Sequence, residues 1–180
     1  RAANMFRALG LEPGRGVAAF LTPTLPELVP LLLGAQVAGV ASSLNYLLSR
    51  EAIIDLLDAE GATVLVIPAR VLDETCWLKA EGALEQVASL RQVIVIRGEP
   101  DLPAGHAGLG ELLRASRGDT LDFEPSADRD TVCALFHTGG TTGRPKLVRL
   151  THGNQIHAAF GFAQVFGYHE RDTVMNGFPM

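Results

Sequence analysis

The nine residues Thr138-Gly139-Gly140-Thr141-Thr142-Gly143-Arg144-Pro145-Lys146 combine three threonine hydroxyls, three glycines and two cations. Glycine lets a backbone turn its N–H groups inward and lets a ligand come close. Successive inward N–H groups form a nest for anions. The hydroxyls add donors, and Lys146 adds a point charge suited to phosphate. Together they suit the grip of a polyphosphate. Thr138, Gly139, Gly140, Thr141, Thr142, Gly143 and Lys146 are therefore the candidate nucleotide-binding residues. The bland alternative is a Gly/Thr surface hairpin that holds nothing; the Pro-Lys ending and the three threonines speak against it.

The run is not a Walker A loop. That motif ends in Gly-Lys-Ser/Thr and opens a helix. Here Arg144 and Pro145 separate Gly143 from Lys146, and Leu147 follows. The flanks read as strands: Thr131 to Phe136 is β-branched and apolar, and Leu147 to Leu150 alternates. The spacing predicts a strand-loop-strand turn with phosphates at its tip.

The elements that must position this loop are legible upstream. Ala2 to Leu9 has a helical pattern closed by Gly10, and Gly16 to Leu21 reads as a buried strand. Thr24 and Glu27 form a capping-box pattern, with Pro26 in the first turn of a helix reaching Ala38 and stopped by Gly39. Val40 to Leu44 is a short strand. Ser49 caps a helix over Arg50 to Glu60, and Thr63 to Ile67 is a strand buried on both faces. A helical region over Ala69 to Ser89, broken near Gly82, leads to a strand at Gln92 to Ile96. This alternation predicts an α/β fold, a doubly wound and mainly parallel sheet flanked by helices. Arg97 to Arg129 is rich in Gly, Pro, Asp and Glu and reads as a surface excursion with one short helix near Leu109 to Leu113. Thr151 caps a helix from His152 to about Phe166, a turn follows, and Thr173 to Phe178 reads as a strand. The chain thus divides into an α/β unit (1–96), a variable excursion (97–129) and a phosphate-loop unit (130–180).

Composition sets limits. With 47 % hydrophobic residues in 180, the chain can bury a sizeable core, and disorder is excluded. A net charge of −5 without any basic run argues against nucleic-acid partners. Cys76 and Cys133 fit no metal spacing and read as reduced, buried thiols of a cytoplasmic protein. Leu28 to Leu44 is strongly apolar but holds Pro30, Gln36 and Ser42-Ser43, and is short for roughly 30 Å of hydrocarbon. It reads as a buried helix running into a buried strand, which leaves room for peripheral membrane contact only. The start at Arg1 and the end at Met180 suggest a piece of a longer protein.

Other candidates are weaker. His152 and His157 lack the spacing of metal ligands on one helix face, so no metal site is expected. His152 reads as a first-turn residue after its cap. His137 adjoins the loop and could approach a nucleotide or acyl group, or could simply pack in its strand. Asn45-Tyr46 reads as a strand-end turn. No Gly-x-Ser-x-Gly elbow occurs, and Gly14-x-Gly16 lacks a dinucleotide fingerprint.

The loop resembles the signature of the adenylate-forming superfamily of acyl-CoA synthetases, peptide-synthetase adenylation domains and luciferases. That signature reads aromatic-Thr-Ser-Gly-Thr-Thr-Gly-x-Pro-Lys-Gly. The match covers Thr138, Gly140, Thr141, Thr142, Gly143, Pro145 and Lys146, with departures at His137, Gly139 and Leu147. Thr151-His152-Gly153-Asn154 is similar to the family's Thr-His-x-Asn, and Asn45-Tyr46 to a further family segment. The resemblance implies a ligase using ATP, Mg²⁺ and coenzyme A on a small-molecule carboxylic acid, fatty or aromatic by the form of the loop. It forms an acyl-adenylate and then an acyl-CoA thioester. The loop would oppose the charge developing on departing pyrophosphate. The resemblance also implies that the catalytic residues lie outside this chain, which would then be an N-terminal portion inactive alone. The alternatives are an amino-acid adenylation domain, a non-catalytic nucleotide-binding module, and a structural α/β domain with an idle loop.

Overall fold

The computed structural model describes residues 1–98, 101–138 and 146–173. Within them a seven-stranded sheet runs in the order β5-β4-β3-β1-β2-β6-β7. Its strands are β1 (Val17–Phe20), β2 (Val40–Ser43), β3 (Ala62–Pro68), β4 (Gln92–Ile96), β5 (His106–Gly108), β6 (Val132–His137) and β7 (Leu147–Thr151). Every neighbouring pair is parallel except β6–β7. The helices are α1 (Ala2–Ala8), α2 (Leu28–Ala38), α3 (Arg50–Ala59), α4 (Glu74–Ala80), α5 (Ala83–Gln86), α6 (Leu109–Ala115) and α7 (His152–Phe166).

The two-residue period of the strands divides the core between the two faces. Ala19, Leu21, Leu65, Ile67, Val93 and Val95 pack under α3, α4 and α5, against Ile53, Leu57 and Cys76. Ala18, Phe20, Val64, Val66, Ile94 and Ile96 face α1, α2 and α6. There Phe6 meets Phe20 edge-on with ring centroids 6.2 Å apart. Strands covered on both sides carry no polar alternation, as the sequence suggested. The apolar run at Leu28 to Leu44 is α2 followed by β2. No helix among the described residues is long and apolar enough to cross a membrane.

Local chemistry sets the boundaries. Ser49 caps α3 by accepting from Ala52 N–H at 3.2 Å, and Asp73 caps α4 by accepting from Cys76 N–H at 2.9 Å. Gly82, at φ +73°, separates α4 from α5. Gly39 ends α2, where a Cβ would lie 2.8 Å from the Arg15 carbonyl oxygen and 2.9 Å from that of Gly16. Pro30 sits in the first turn of α2, where its missing N–H has no intrahelical partner to lose.

Three expectations need correction. The helix expected to follow a Thr24/Glu27 capping box starts at Leu28, with Glu27 itself at the N-cap and no cap bond from the Glu27 side chain. Its carboxylate instead accepts two bonds from the Arg97 guanidinium, at 2.7 and 3.3 Å, and that contact holds its pKa below the usual range. The helix expected from Ala69 begins only at Glu74, because Asp73 supplies the cap and Val71 and Leu72 are exposed. The excursion after Arg97 contributes a strand, β5, parallel to β4. Three residues are too few to show a strand period. Buried Asn4 fastens the far end of that excursion, donating to the carbonyls of Arg117 and Thr120 and accepting from Asp122 N–H.

Both cysteines are free and buried. Burial, with Asp73 nearby, pushes the Cys76 thiol up to about 12. Glu60, at the end of α3, is 8 % exposed and accepts from Ser42 Oγ at 2.6 Å. Burial pushes its carboxyl up to about 7, against an opposing effect of that hydrogen bond. A folded-state pKa raised above the ordinary 4.5 adds stability that is intact below 4.5 and is lost as pH rises through about 7. The loss saturates at about 3 kcal/mol. Urea denaturation across this pH range should show Glu60→Gln gaining on the native chain by that amount. A stability difference that does not change with pH would contradict the assignment.

Candidate functional site

The sheet brings the loop's two ends to one place. β6 lies parallel beside β2, with Ala41 opposite Ala134 and Ser42 opposite Leu135. β7 returns antiparallel, with His137 opposite Leu147. Thr138 N–H then donates to the Lys146 carbonyl at 2.9 Å, closing the neck of the turn. Thr138 and Lys146 are both exposed. The expected strand-loop-strand arrangement is therefore present in its flanks and neck. Gly139, Gly140, Thr141, Thr142 and Gly143 lie outside the described residues.

The neck stands at the carboxyl end of β6, beside the carboxyl end of β2. In parallel α/β sheets this is the edge at which ligands bind. Beyond β2, Leu44 N–H still bonds to Phe20 O at 2.9 Å, after which the chain turns. Asn45 accepts from Leu47 N–H through Oδ1 at 3.0 Å and from Leu48 N–H through its carbonyl at 3.1 Å. Lys79 of α4 donates to the Tyr46 carbonyl at 2.6 Å. The turn is thus tied to α4 and has a fixed shape.

His137 joins loop and turn. Its Nε2 accepts from Asn45 N–H at 3.0 Å, and partial burial lowers its pKa below the ordinary histidine value. The sequence singled out His137 and Asn45 separately but could not pair them. They are 92 residues apart, and only the β2–β6 register brings them together. A histidine closing a strand beside a loop was the available signal.

The far side of the hairpin is built to hold its angle. Thr151 Oγ1 accepts from Asn154 N–H at 3.1 Å, and Asn154 Oδ1 accepts from Thr151 N–H at 3.0 Å. This capping box starts α7 directly from β7, as the sequence predicted for Thr151. His152 lies in the first turn of α7, and its Nε2 is buried with no partner among the described residues. Gly167, at φ +66°, ends the helix. The strand expected from Thr173 to Phe178 falls almost wholly outside the described residues.

As an anion site, the neck offers the exposed Thr138 hydroxyl and the Lys146 ammonium on adjoining strand ends. Donors of this kind fit a polyphosphate. Among the described residues no group of three His, Cys, Asp or Glu side chains could hold a metal ion.

The family model for AMP-binding enzymes matches residues 1–180. The chain belongs to the AMP-binding enzyme family. Among curated members it is 33 % identical over 160 residues to a marinolic acid–CoA ligase of Pseudoalteromonas sp. (strain SANK 73390), covering 87 % of this chain and 24 % of that protein. It is 34 % identical over 175 residues to a 3-hydroxybenzoate–CoA ligase of Aromatoleum sp. (strain CIB), covering 97 % and 31 %. A solved long-chain-fatty-acid–CoA ligase from Archaeoglobus fulgidus superposes with a TM-score of 0.82 at 23 % identity, covering 99 % of this chain and 33 % of that one. That likeness confirms the adenylate-forming α/β fold. The chain spans about a quarter of the length of the first curated relatives it matches.

The capping box gives a direct test of how this hairpin is held. Thr151→Ala removes one member and should lower unfolding stability by about 1 kcal/mol, with Thr151→Ser retaining most of it. Thermal denaturation reads the difference. Equal stability of the native chain and the alanine variant would show that the cap does not hold α7.

Proposed function

We propose that this chain is the N-terminal portion of the nucleotide-binding domain of an acid–CoA ligase, and that loop 138–146 holds the β- and γ-phosphates of ATP. The observation that carries this reading is the exposed hairpin neck. Thr138 and Lys146 are joined there across β6–β7, at the ligand-binding edge of the sheet. Support also comes from curated relatives that are CoA ligases, among them the marinolic acid and 3-hydroxybenzoate enzymes.

Bound MgATP supplies an electrophilic α-phosphorus and a pyrophosphate leaving group. The residues of this chain act on that leaving group. Lys146 sets a fixed positive charge beside the γ-phosphate. The hydroxyls of Thr138, Thr141 and Thr142 and the backbone N–H groups of Gly139 to Gly143 oppose the negative charge that grows as pyrophosphate departs. Thr138 and Lys146, already joined at the neck, would lower the barrier by standing in place before the reaction, with less solvent left to reorganise. The substrate is a small organic acid. A fatty or aromatic acid is favoured over an amino acid by the His-Thr-Gly-Gly form of the loop and by the named relatives.

The full-length protein, given ATP, Mg²⁺ and coenzyme A, should release pyrophosphate only when an acceptable fatty or aromatic acid is present, and should accumulate the matching thioester. Lys146→Ala should slow that release on the order of 10²–10³-fold. The chain of residues 1–180 alone should release none. Acid-independent ATP cleavage, amino-acid dependence, or full activity in Lys146→Ala would each count against the proposal.

A further inference from the structure

The bond between His137 and Asn45 has an unusual form. In a parallel ladder a backbone N–H is met by a backbone carbonyl of the neighbouring strand. The β2–β6 ladder pairs Ala41 with Ala134 and Ser42 with Leu135 and then stops, because the chain after β2 bends into its turn. Asn45 N–H points to β6 but is met by a side chain, the imidazole of His137, at 3.0 Å. A backbone N–H can only donate, so Nε2 must be unprotonated and the ring hydrogen must sit on Nδ1. A protonated imidazole would set N–H against N–H.

We propose that His137 is a positioning residue, whose uncharged ring ties the root of the phosphate loop to the turn after β2 so that the loop's hold on polyphosphate depends on that tie. The first clause stands on the geometry alone. The last rests on the phosphate-loop reading given above.

Two features give the tie its leverage. Thr138, the next residue, closes the loop neck onto Lys146, so a shift of His137 moves the first loop donor directly. The other end is anchored, since Lys79 of α4 holds Tyr46 and Asn45 Oδ1 holds Leu47. Among the described residues, the titratable groups on the surrounding elements are Lys146 and Arg149 of the β7 side, Tyr46 of the turn, Glu74, Cys76 and Lys79 of α4, and Cys133 of β6. None of them adds a charge effect to His137, whose shift has burial as its cause. The tie is therefore set by desolvation and by one hydrogen bond.

The test uses the full-length protein with nitrogen labels in the histidine rings and backbone amides, and compares the native form with H137Q and H137F. Gln places an oxygen acceptor near the position of Nε2, whereas Phe keeps the ring and removes the acceptor. The Asn45 amide shift should follow the His137 ring through its titration, and that dependence should vanish in both variants. The Kd for MgATP at neutral pH should rise about 5- to 10-fold in H137F and stay near native in H137Q. As pH falls below the ordinary histidine range, the native protein should lose MgATP affinity relative to H137Q. An Asn45 amide indifferent to ring titration overturns the tie itself. Equal MgATP affinity in native protein and H137F overturns its role in the loop. Native protein that does not bind MgATP removes the phosphate-loop reading and this role with it. The three failures are distinguishable, because in the last two Asn45 still follows the ring.

Discussion

The parallel pairing of β2 with β6 is the contact on which the site depends. The strands before it build a sheet that needs no loop at all, since β1, β3 and β4 are satisfied by one another and by helices on both faces. β6 arrives only after a long excursion and lays its carboxyl end beside that of β2. From there the chain can turn outward at a sheet edge already lined with strand ends. Pairing β6 elsewhere would leave the Thr/Gly run intact in sequence but without a scaffold. The antiparallel return of β7 adds the second constraint, joining Thr138 to Lys146 so that the two ends of a nine-residue loop are held together.

Rigidity is distributed around this point in a consistent way. The turn after β2 is held by Asn45, Lys79 and Ser49, and the exit of β7 by the Thr151–Asn154 capping box. Ser49 and Thr151 act at helix starts, where N–H donors would otherwise lack partners, while Lys79 donates to a carbonyl of the turn. Hydrophobic burial holds the sheet, and hydrogen bonds at its carboxyl edge hold the neck.

Much of this was legible because each signal was local. Gly82 broke the helical region where a positive φ demanded it, Ser49 and Thr151 capped the helices they were expected to cap, and Val64 to Ile67 read as doubly buried because no polar residue interrupts them. The errors arose where a distant partner decided the outcome. Glu27 looked like half of a capping box until Arg97, 70 residues away, claimed its carboxylate. β5 was invisible because three residues acquire strand identity only from the exposed edge of β4. Glu60 looked like an ordinary helix-end acid, and its burial against Ser42 depends on how α3 lies across the sheet. For the candidate site, residue types suggested a polyphosphate ligand, while the contact between His137 and Asn45 required the fold.

The central claim is that loop 138–146 cups the tail of a nucleoside triphosphate. A crystal structure of the full-length protein with Mg²⁺ and a non-hydrolysable ATP analogue tests it most directly. The account predicts β- and γ-phosphate oxygens at hydrogen-bond distance, roughly 2.7–3.2 Å, from backbone N–H groups of Gly139 to Gly143, with the Lys146 ammonium beside the γ-phosphate. A nucleotide seated elsewhere, with the loop amides bonded to protein, would contradict it.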